Sequence, residues 1–268
     1  MGQTLVIAEK PSVAGDIARA LGGFKKDGDF WVSDAMIVGS AVGHLLEIKA
    51  PEEYDVKRGR WSFANLPVLP PHFDLQPIKK SIKKFEGLEK KIRSRSVTDI
   101  INACDAGREG ELIFRYIIQA TGTKKPIRRL WLQSMTKGSI QKAFTALRSD
   151  AEMKPLEAAA RSRSEADWLV GINGTRALTA FNSKDGGFFL TTVGRVQTPT
   201  LAIVVAREEE ITHFKPQNYW EVHATFGAQA GDYDSVWVDA DFKKTKGQSA
   251  ELKPERLWTA AEAQAIVA

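Results

Sequence analysis

Two segments that each place an acidic residue directly after an apolar run constrain the fold of this chain most strongly. Residues 4–8 are apolar enough for a buried strand and are followed at once by Glu9. Residues 97–104 repeat the arrangement, and Asp105 follows them. A helix-forming stretch comes next in both segments, and strands that alternate with helices build α/β domains around a mainly parallel sheet. The sequence therefore predicts an α/β domain over residues 1–150.

The stretches after the two acidic residues carry signals for the start and end of helices. The first helix is predicted over residues 13–21, with Ser12 as its N-cap and Gly22 at its C-terminal end. In the second segment, a polar turn with glycines over residues 105–110 precedes a helix predicted over residues 111–120. Both segments therefore have the order strand, turn, helix.

The rest of the chain divides into regions of different composition. The predicted elements are a hairpin over residues 31–42, an amphipathic helix with a basic face within residues 76–95, helices over residues 154–181 and 199–210, and strands over residues 220–226 and 236–242. We therefore predict three domains: the α/β domain over residues 1–150, a helical domain over residues 151–215, and the beginning of a β-rich domain over residues 216–268.

The excess of positive over negative charge is confined to the first four-fifths of the chain. The chain carries 38 Lys and Arg against 33 Asp and Glu, a net charge of +5. Residues 216–268 hold five basic and eight acidic residues, or −3, which leaves +8 for residues 1–215. A basic excess of this kind suits a polyanionic partner, with ordinary solubility as the alternative explanation.

The cysteine and hydropathy patterns exclude several classes of protein. Cys104 is the single cysteine, so the chain has no disulfide framework and no zinc site with several cysteines. The four histidines are scattered along the sequence, and no run of about 18 apolar residues is present. We therefore expect a soluble protein of a reducing compartment.

The acidic residues at the strand ends predict a metal site. Loops at the carboxyl ends of parallel strands share one edge of the sheet, where ligands bind. Glu9, Asp105 and Glu109 are expected to converge there, with Glu111 close behind on the helix. Clustered carboxylates repel one another and usually hold Mg²⁺ or keep a proton, while Lys10 and Arg108 supply balancing positive charge. The chain lacks the G-x-x-x-x-G-K-[ST] and G-x-G-x-x-G motifs, which disfavours nucleoside triphosphatases and dinucleotide enzymes.

The same segments resemble a known enzyme family. Leu-Val-Ile-Ala-Glu-Lys-Pro-Ser over residues 5–12 and Asp-Ala-Gly-Arg-Glu-Gly-Glu over residues 105–111 resemble the Toprim domain of topoisomerases, primases and some nucleases. The remaining matches are to type IA DNA topoisomerases and lie in residues 40–47, 167–176 and 193–201. The Glu-Lys-Pro-Ser start and residues 131–136 are similar to the topoisomerase III branch. The resemblance implies a Rossmann-like Toprim domain, a winged-helix-like helical domain and the first strands of an arch.

The resemblance also implies roles for individual residues. Glu9 matches the acid/base that acts on the sugar 3′ oxygen, and Lys10 matches the lysine that positions the scissile phosphate. Asp105 and Glu109 match the first and last residues of an Asp-x-Asp-x-Glu motif that binds Mg²⁺ together with Glu9, whereas the middle position here is Gly107. The residues implied in binding single-stranded DNA are Arg108, Arg163, Asp167, Arg195, Gln197 and Thr198.

The nucleophile of the family has no counterpart in this sequence. Type IA enzymes cut one DNA strand with a tyrosine from a later segment that resembles Gly-Leu-Ile-Thr-Tyr, and the tyrosines here lie in other contexts: Tyr54, Tyr116, Tyr219 and Tyr233. A capping-box pattern at Thr259 opens a helix close to the last residue. We therefore expect the N-terminal part of a longer topoisomerase that binds single-stranded DNA without cleaving it.

Further expectations follow from the same resemblance. The intact enzyme would depend on Mg²⁺ but not on ATP, and would be a cytoplasmic, nucleoid-associated monomer with no membrane contact. Two alternatives remain open on the sequence: a non-catalytic module that binds single-stranded nucleic acid, and another Toprim enzyme such as a Mg²⁺-dependent nuclease.

Overall fold

The computed structural model describes residues 2–53, 61–243 and 252–268. The chain forms two compact units, Met1–Thr200 and Leu201–Ala268. Tyr54 lies outside the described residues. Among the described residues, no helix is both long enough and apolar enough to cross a membrane.

The first unit is built on a mixed, largely parallel sheet. Its strands are β1 (Gln3–Ala8), β2 (Lys25–Asp27), β3 (Phe30–Val32), β4 (Met36–Ser40), β5 (Leu46–Ile48), β6 (Leu75–Pro77), β7 (Val97–Ala103), β8 (Ile127–Arg129) and β9 (Arg148–Ser149). Within the described residues, seven of them form one sheet in the order β2-β3-β4-β1-β7-β8-β9, and β5 pairs with β6 separately. The four central strands are parallel and the outer ones antiparallel. The predicted α/β class with a mainly parallel sheet is confirmed.

Helices cover both faces of this sheet. They are α1 (Pro11–Leu21), α2 (Ile82–Arg93), α3 (Arg108–Thr121), α4 (Lys137–Thr145) and the long α5 (Asp150–Asn182). Alternate residues of β1 enter different cores: Leu5 and Ile7 pack into the core that α2 and α3 cover, whereas Val6 and Ala8 pack with residues of α1 and α4. Both faces of the strand are therefore buried, as its uninterrupted apolar run requires.

Three shorter elements and one longer helix complete the chain. α6 (Gln197–Thr212) runs from the end of the first unit into the second, which also contains β10 (His223–Ala228), β11 (Gly231–Val236) and α7 (Ala260–Val267). β10 and β11 form an antiparallel hairpin. Thr259 caps α7 in a capping box with Glu262, as the sequence predicted.

Helices α1, α3, α5 and α6 all begin a few residues earlier than the sequence predicted, and the shift in α1 and α3 affects the residues at the sheet edge. Lys10 is the N-cap of α1 and Pro11 its first residue, so the assignment of Ser12 as N-cap is wrong. Proline suits this position because its missing N–H has no partner inside the helix there. α3 begins at Arg108, so Glu109 belongs to the first helical turn and not to the preceding loop.

The strand predicted over residues 236–242 is also wrong. β11 ends at Val236, and Trp237 N donates to Val222 O outside the hairpin. The hairpin turn explains the difference. Ala228 pairs with Gly231, so the turn consists of residues 229–230 and the second strand must begin at Gly231. The domain boundaries at residues 150 and 215 stay a prediction.

Candidate functional site: an acidic strand edge beside an arginine-lined cleft

Parallel pairing brings the two acidic strand ends together. β1 lies beside β7 with Ala8 opposite Ala103, so Glu9 and Asp105 emerge at the same edge of the sheet. Lys10 lies between them, with Nζ 3.0 Å from Asp105 Oδ2 and 3.5 Å from Glu9 Oε1. The hydrogen bond to Asp105, followed by the charges of both carboxylates, raises the pKa of Lys10. The ammonium group therefore stays protonated at this edge.

Glu9 is much more deeply buried than Asp105. Only 8% of the residue is exposed, and among the described residues its Oε2 atom is buried without a hydrogen-bond partner. A buried carboxylate oxygen normally has a donor, so an orphan of this kind points to a proton or a cation as the missing partner. Asp105, in contrast, is half exposed.

Glu109 faces a cleft next to this edge. His44 Nε2 lies 2.6 Å from Glu109 Oε1. The cleft has a volume of about 260 Å³, and its walls include charged side chains of α3 and α5, namely Arg108, Glu109, Arg163 and Asp167. No chemical role had been expected for His44, although it lies in one of the segments that resemble type IA topoisomerases.

The donor set at the edge suits a hard divalent cation. Glu9, Asp105 and Glu109 offer carboxylate oxygens, which Mg²⁺ prefers. Their side chains are engaged separately, Asp105 with Lys10 and Glu109 with His44. In the part of the chain that the structure describes, no three His, Cys, Asp or Glu side chains are grouped so that they could hold a metal. The metal assignment of these three residues stays a prediction.

Glu111, close behind the other carboxylates on α3, faces the core and not the acidic edge. Its side chain is fully buried, where it accepts hydrogen bonds from Asn102 Nδ2 at 2.9 Å and Arg115 Nε at 2.7 Å. Arg129 Nε lies 3.3 Å from Glu111 Oε2, the oxygen that also accepts from Asn102. Glu111 therefore neutralises buried arginines below the site.

Arg129 supports the loop that carries Asp105, and the sequence gave no indication of this. Its buried guanidinium donates to Cys104 O at 2.7 Å through Nη1 and to Asp105 O at 2.7 Å through Nη2. Burial lowers the pKa of Arg129, and it raises the pKa of the Cys104 thiol beside it. These hydrogen bonds fix the backbone from which the Asp105 side chain projects.

The predicted DNA-binding residues form two groups. Asp167 lies between two arginines, with Oδ1 2.8 Å from Arg195 Nη1 and Oδ2 3.7 Å from Arg163 Nε. The other two residues shape the turn before α6: Thr198 Oγ1 accepts from Gly194 N at 3.1 Å, and Gln197 Nε2 donates to Thr192 Oγ1 at 3.3 Å. Arg108 lies in the cleft with Arg163 and Asp167. The structure thus brings the three arginines to one region, and their DNA contacts stay a prediction.

Two family profiles match this chain in succession. The Toprim domain profile matches residues 4–135, and the DNA topoisomerase profile matches residues 151–268. The DNA topoisomerase 3 of Bacillus thuringiensis (strain Al Hakam) is 42% identical over 258 residues, which cover 96% of this chain and 34% of that protein. The chain belongs to the type IA DNA topoisomerases.

Other relatives of this type IA chain agree with that assignment. The DNA topoisomerase 3 of Bacillus subtilis (strain 168) is 39% identical over 269 residues, covering 100% of this chain and 36% of that protein. The chain thus spans about a third of the length of the curated relatives it matches. The structure of full-length topoisomerase I from Thermotoga maritima has a TM-score of 0.53 at 22% identity, covering 92% of this chain and 36% of that one. This last likeness supports the fold.

Proposed function

We propose that this chain supplies the acid/base, cation-binding and single-strand-binding parts of a topoisomerase III. The contact of Lys10 with both Glu9 and Asp105 at one sheet edge, beside an arginine-lined cleft, carries the proposal. The intact enzyme would cut one DNA strand through a tyrosine, pass another strand and reseal the first, without ATP. Such an enzyme needs a proton donor and a phosphate anchor close together.

Each residue at the edge has a chemical task in this proposal. The Lys10 ammonium, held in its charged form, anchors the scissile phosphate by charge and hydrogen bonding. The Glu9 carboxyl group acts as the acid/base on the sugar 3′ oxygen when the strand is cut and resealed. Arg129 keeps the Asp105 loop in place through its carbonyl groups.

A Mg²⁺ ion would be held by Asp105 and Glu109, with Glu9 as the third carboxylate. When bound, it would supply positive charge that stabilises the developing charge on phosphate oxygens. Gly107 contributes no oxygen ligand, so fewer carboxylates are available than in the Asp-x-Asp-x-Glu pattern.

The arginines of the cleft are proposed to bind the phosphates of single-stranded DNA. Arg108, Arg163 and Arg195 supply the positive charge, while Asp167 orients two of them. Gln197 and Thr198 hold the turn that carries Arg195. By itself the chain is expected to bind a single strand without cutting it. We further propose the domain division at residues 150 and 215, a monomer, and a cytoplasmic enzyme associated with the nucleoid.

Substitution of Glu9 in the intact enzyme tests the proposal. Glu9→Ala removes the proton carrier but none of the arginines, so relaxation of supercoiled DNA should be lost while binding to a single-stranded oligonucleotide persists. Glu86→Ala, an exposed glutamate on α2, is the matched control and should relax DNA normally. Relaxation by Glu9→Ala at the rate of the control would refute the assignment of Glu9.

A further inference from the structure

The first unit contains a second concave site, separate from the acidic edge. This cavity of about 530 Å³ lies between the segment that begins at Trp61 and the C-terminal end of α5. Aromatic rings of Trp61, Phe63 and Phe188 form much of its wall, with Thr179, Ser183 and Lys184 among the other lining residues. None of these residues belongs to the cleft described above. We call this cavity the aromatic pocket.

Both walls of the aromatic pocket are fastened to α5. On one side, Asn173 Oδ1 accepts from Val68 N at 2.6 Å, and Asn173 Nδ2 donates to Val68 O at 3.0 Å. On the other side, Thr191 N donates to Thr179 Oγ1 at 3.0 Å, and Phe189 N donates to Ser183 Oγ at 2.9 Å. These hydrogen bonds hold both walls in place, which reduces the ordering cost of binding.

The rings of the pocket remain open to solvent although they are large and apolar. Phe63 is 59% exposed and Phe188 is 66% exposed. The rings of Trp61 and Phe188 have their centroids 5.7 Å apart, tilted by 60°, and the Arg176 guanidinium lies 5.2 Å from the Trp61 centroid. Arg176 is in turn paired with Glu52. Trp61 is thus held in position while the neighbouring phenylalanines stay accessible, a combination that marks a binding surface.

The polar rim indicates what the aromatic pocket binds. Lys184 lines it, lies 5.1 Å from the Phe181 ring centroid, and within the described residues forms no ion pair. Aromatic side chains beside a free cation are the means by which proteins bind single strands, since bases stack on the rings and phosphates meet the charge. An aliphatic or acidic peptide would use only one of these two features.

We propose that the aromatic pocket binds a base of the same single strand that occupies the arginine-lined cleft. This inference rests on the proposed function, because it requires a single strand in the cleft. Arg163 in the cleft and Thr179 in the pocket lie on the same helix, α5, sixteen residues apart, which is about 24 Å at 1.5 Å per residue. The base that enters the pocket is therefore several nucleotides away from a phosphate bound at Arg163.

A comparison of two strands tests the pocket. Binding of the whole chain to fluorescent oligothymidylate and to an abasic strand of equal length is measured by anisotropy. The wild-type chain should prefer the strand with bases, and Phe188→Ala should weaken binding to that strand by roughly tenfold, since stacking on one ring contributes about 1–3 kcal/mol per base. Binding of the abasic strand should be unchanged. Phe188→Tyr, which keeps the ring, should restore the preference.

Phe214→Ala serves as the matched control, because Phe214 is 67% exposed and lies outside the pocket. If Phe188→Ala binds each of the two strands as tightly as the wild type does, the pocket proposal is wrong while the proposed function stands. An equal loss for both strands would also overturn it, because the ring would not be acting on bases. If the folded wild-type chain binds neither strand, the proposed single-strand binding fails and the pocket proposal fails with it.

Discussion

At the scale of single residues, two glycines at the start of α3, the N-cap Gly107 and Gly110 in the first turn, differ in what a side chain would meet. A Cβ atom on Gly110 would lie 2.3 Å from the carbonyl oxygen of Asp105, so this position requires glycine for close approach of the helix to the loop. A Cβ atom on Gly107 would meet nothing within 4 Å. Its φ of 169° is extended backbone that any residue adopts.

We predict opposite outcomes for substitutions at these two glycines. Gly107→Asp should fold with a stability within about 0.5 kcal/mol of wild type, and should bind Mn²⁺ more tightly because it adds a carboxylate next to Asp105. Gly110→Ala should lower the midpoint of thermal unfolding, since the backbone of the Asp105 loop must move. Circular dichroism measures the thermal unfolding of both variants, and isothermal titration calorimetry measures the Mn²⁺ affinity.

Gly87→Asp is the control for the metal measurement, because it adds the same charge at an open position of α2, away from the acidic edge. Equal Mn²⁺ affinity in Gly107→Asp and Gly87→Asp would show that the acidic edge is not the Mn²⁺ binding site.

The sequence predicted part of this site for a definite physical reason. Glu9 and Asp105 could be brought together from the sequence because neighbouring parallel strands end at the same edge. The orientation of Glu111 could not be predicted. Glu109 and Glu111 are two residues apart and so point about 200° apart around the helix axis, and the start of α3 decides which of them faces the cleft. With that start at Arg108, Glu109 faces the cleft and Glu111 faces the core.

At the scale of elements, buried charges join α3 to β8 and α5. Glu111 of α3 pairs with Arg115 one turn later and with Arg129 of β8. Arg115 extends the network to α5, with Nη2 2.7 Å from Asp150 Oδ1 and Nη1 3.2 Å from Glu157 Oε2. The start of the long helix is therefore held by charges that also lie below the acidic edge.

Removal of Glu111 should destabilise the first unit strongly. Glu111→Ala leaves two buried arginines without their shared counter-charge, and we expect the free energy of unfolding to fall by about 3–5 kcal/mol. Unfolding in urea, followed by circular dichroism, measures this change. Glu109→Ala, at an exposed position of the same helix, should cost about 1 kcal/mol or less. Similar losses in the two variants would show that the network does not stabilise the unit.

Elements of the chain differed in how well their pattern could be interpreted. Phe85, Leu88 and Ile92 recur at helical spacing, and all three are buried on α2 as the sequence predicted. The strand predicted over residues 236–242 is wrong because the true second strand, β11, alternates less clearly than the residues that follow it. The position of β11 is set by backbone hydrogen bonding across a tight turn, which the hydropathy of the side chains does not reveal.

At the scale of the whole molecule, the basic excess of residues 1–215 should make strand binding depend on salt. Displacement of cations from a single strand gives a slope of log affinity against log salt of about −0.7 for each neutralised phosphate. If Arg108, Arg163 and Arg195 each bind one phosphate, they contribute a slope of about −2.

Arg195→Ala should therefore reduce the magnitude of that slope by about 0.7, measured by fluorescence anisotropy over a series of KCl concentrations. The control is Arg207→Ala, an exposed arginine of α6 paired with Glu210, which should leave the slope unchanged. An unchanged slope for Arg195→Ala would exclude a phosphate contact by this residue.

The order of strands also has a consequence for synthesis on the ribosome. Of the two neighbours of β1, β4 is synthesised first, whereas β7 follows about 95 residues after β1 and needs roughly 5–20 s of translation. During that interval one side of β1 has open backbone hydrogen-bonding groups and Glu9 has no Asp105 opposite it. The nascent chain thus acquires its acidic edge in a single late event, when the seventh strand leaves the exit tunnel.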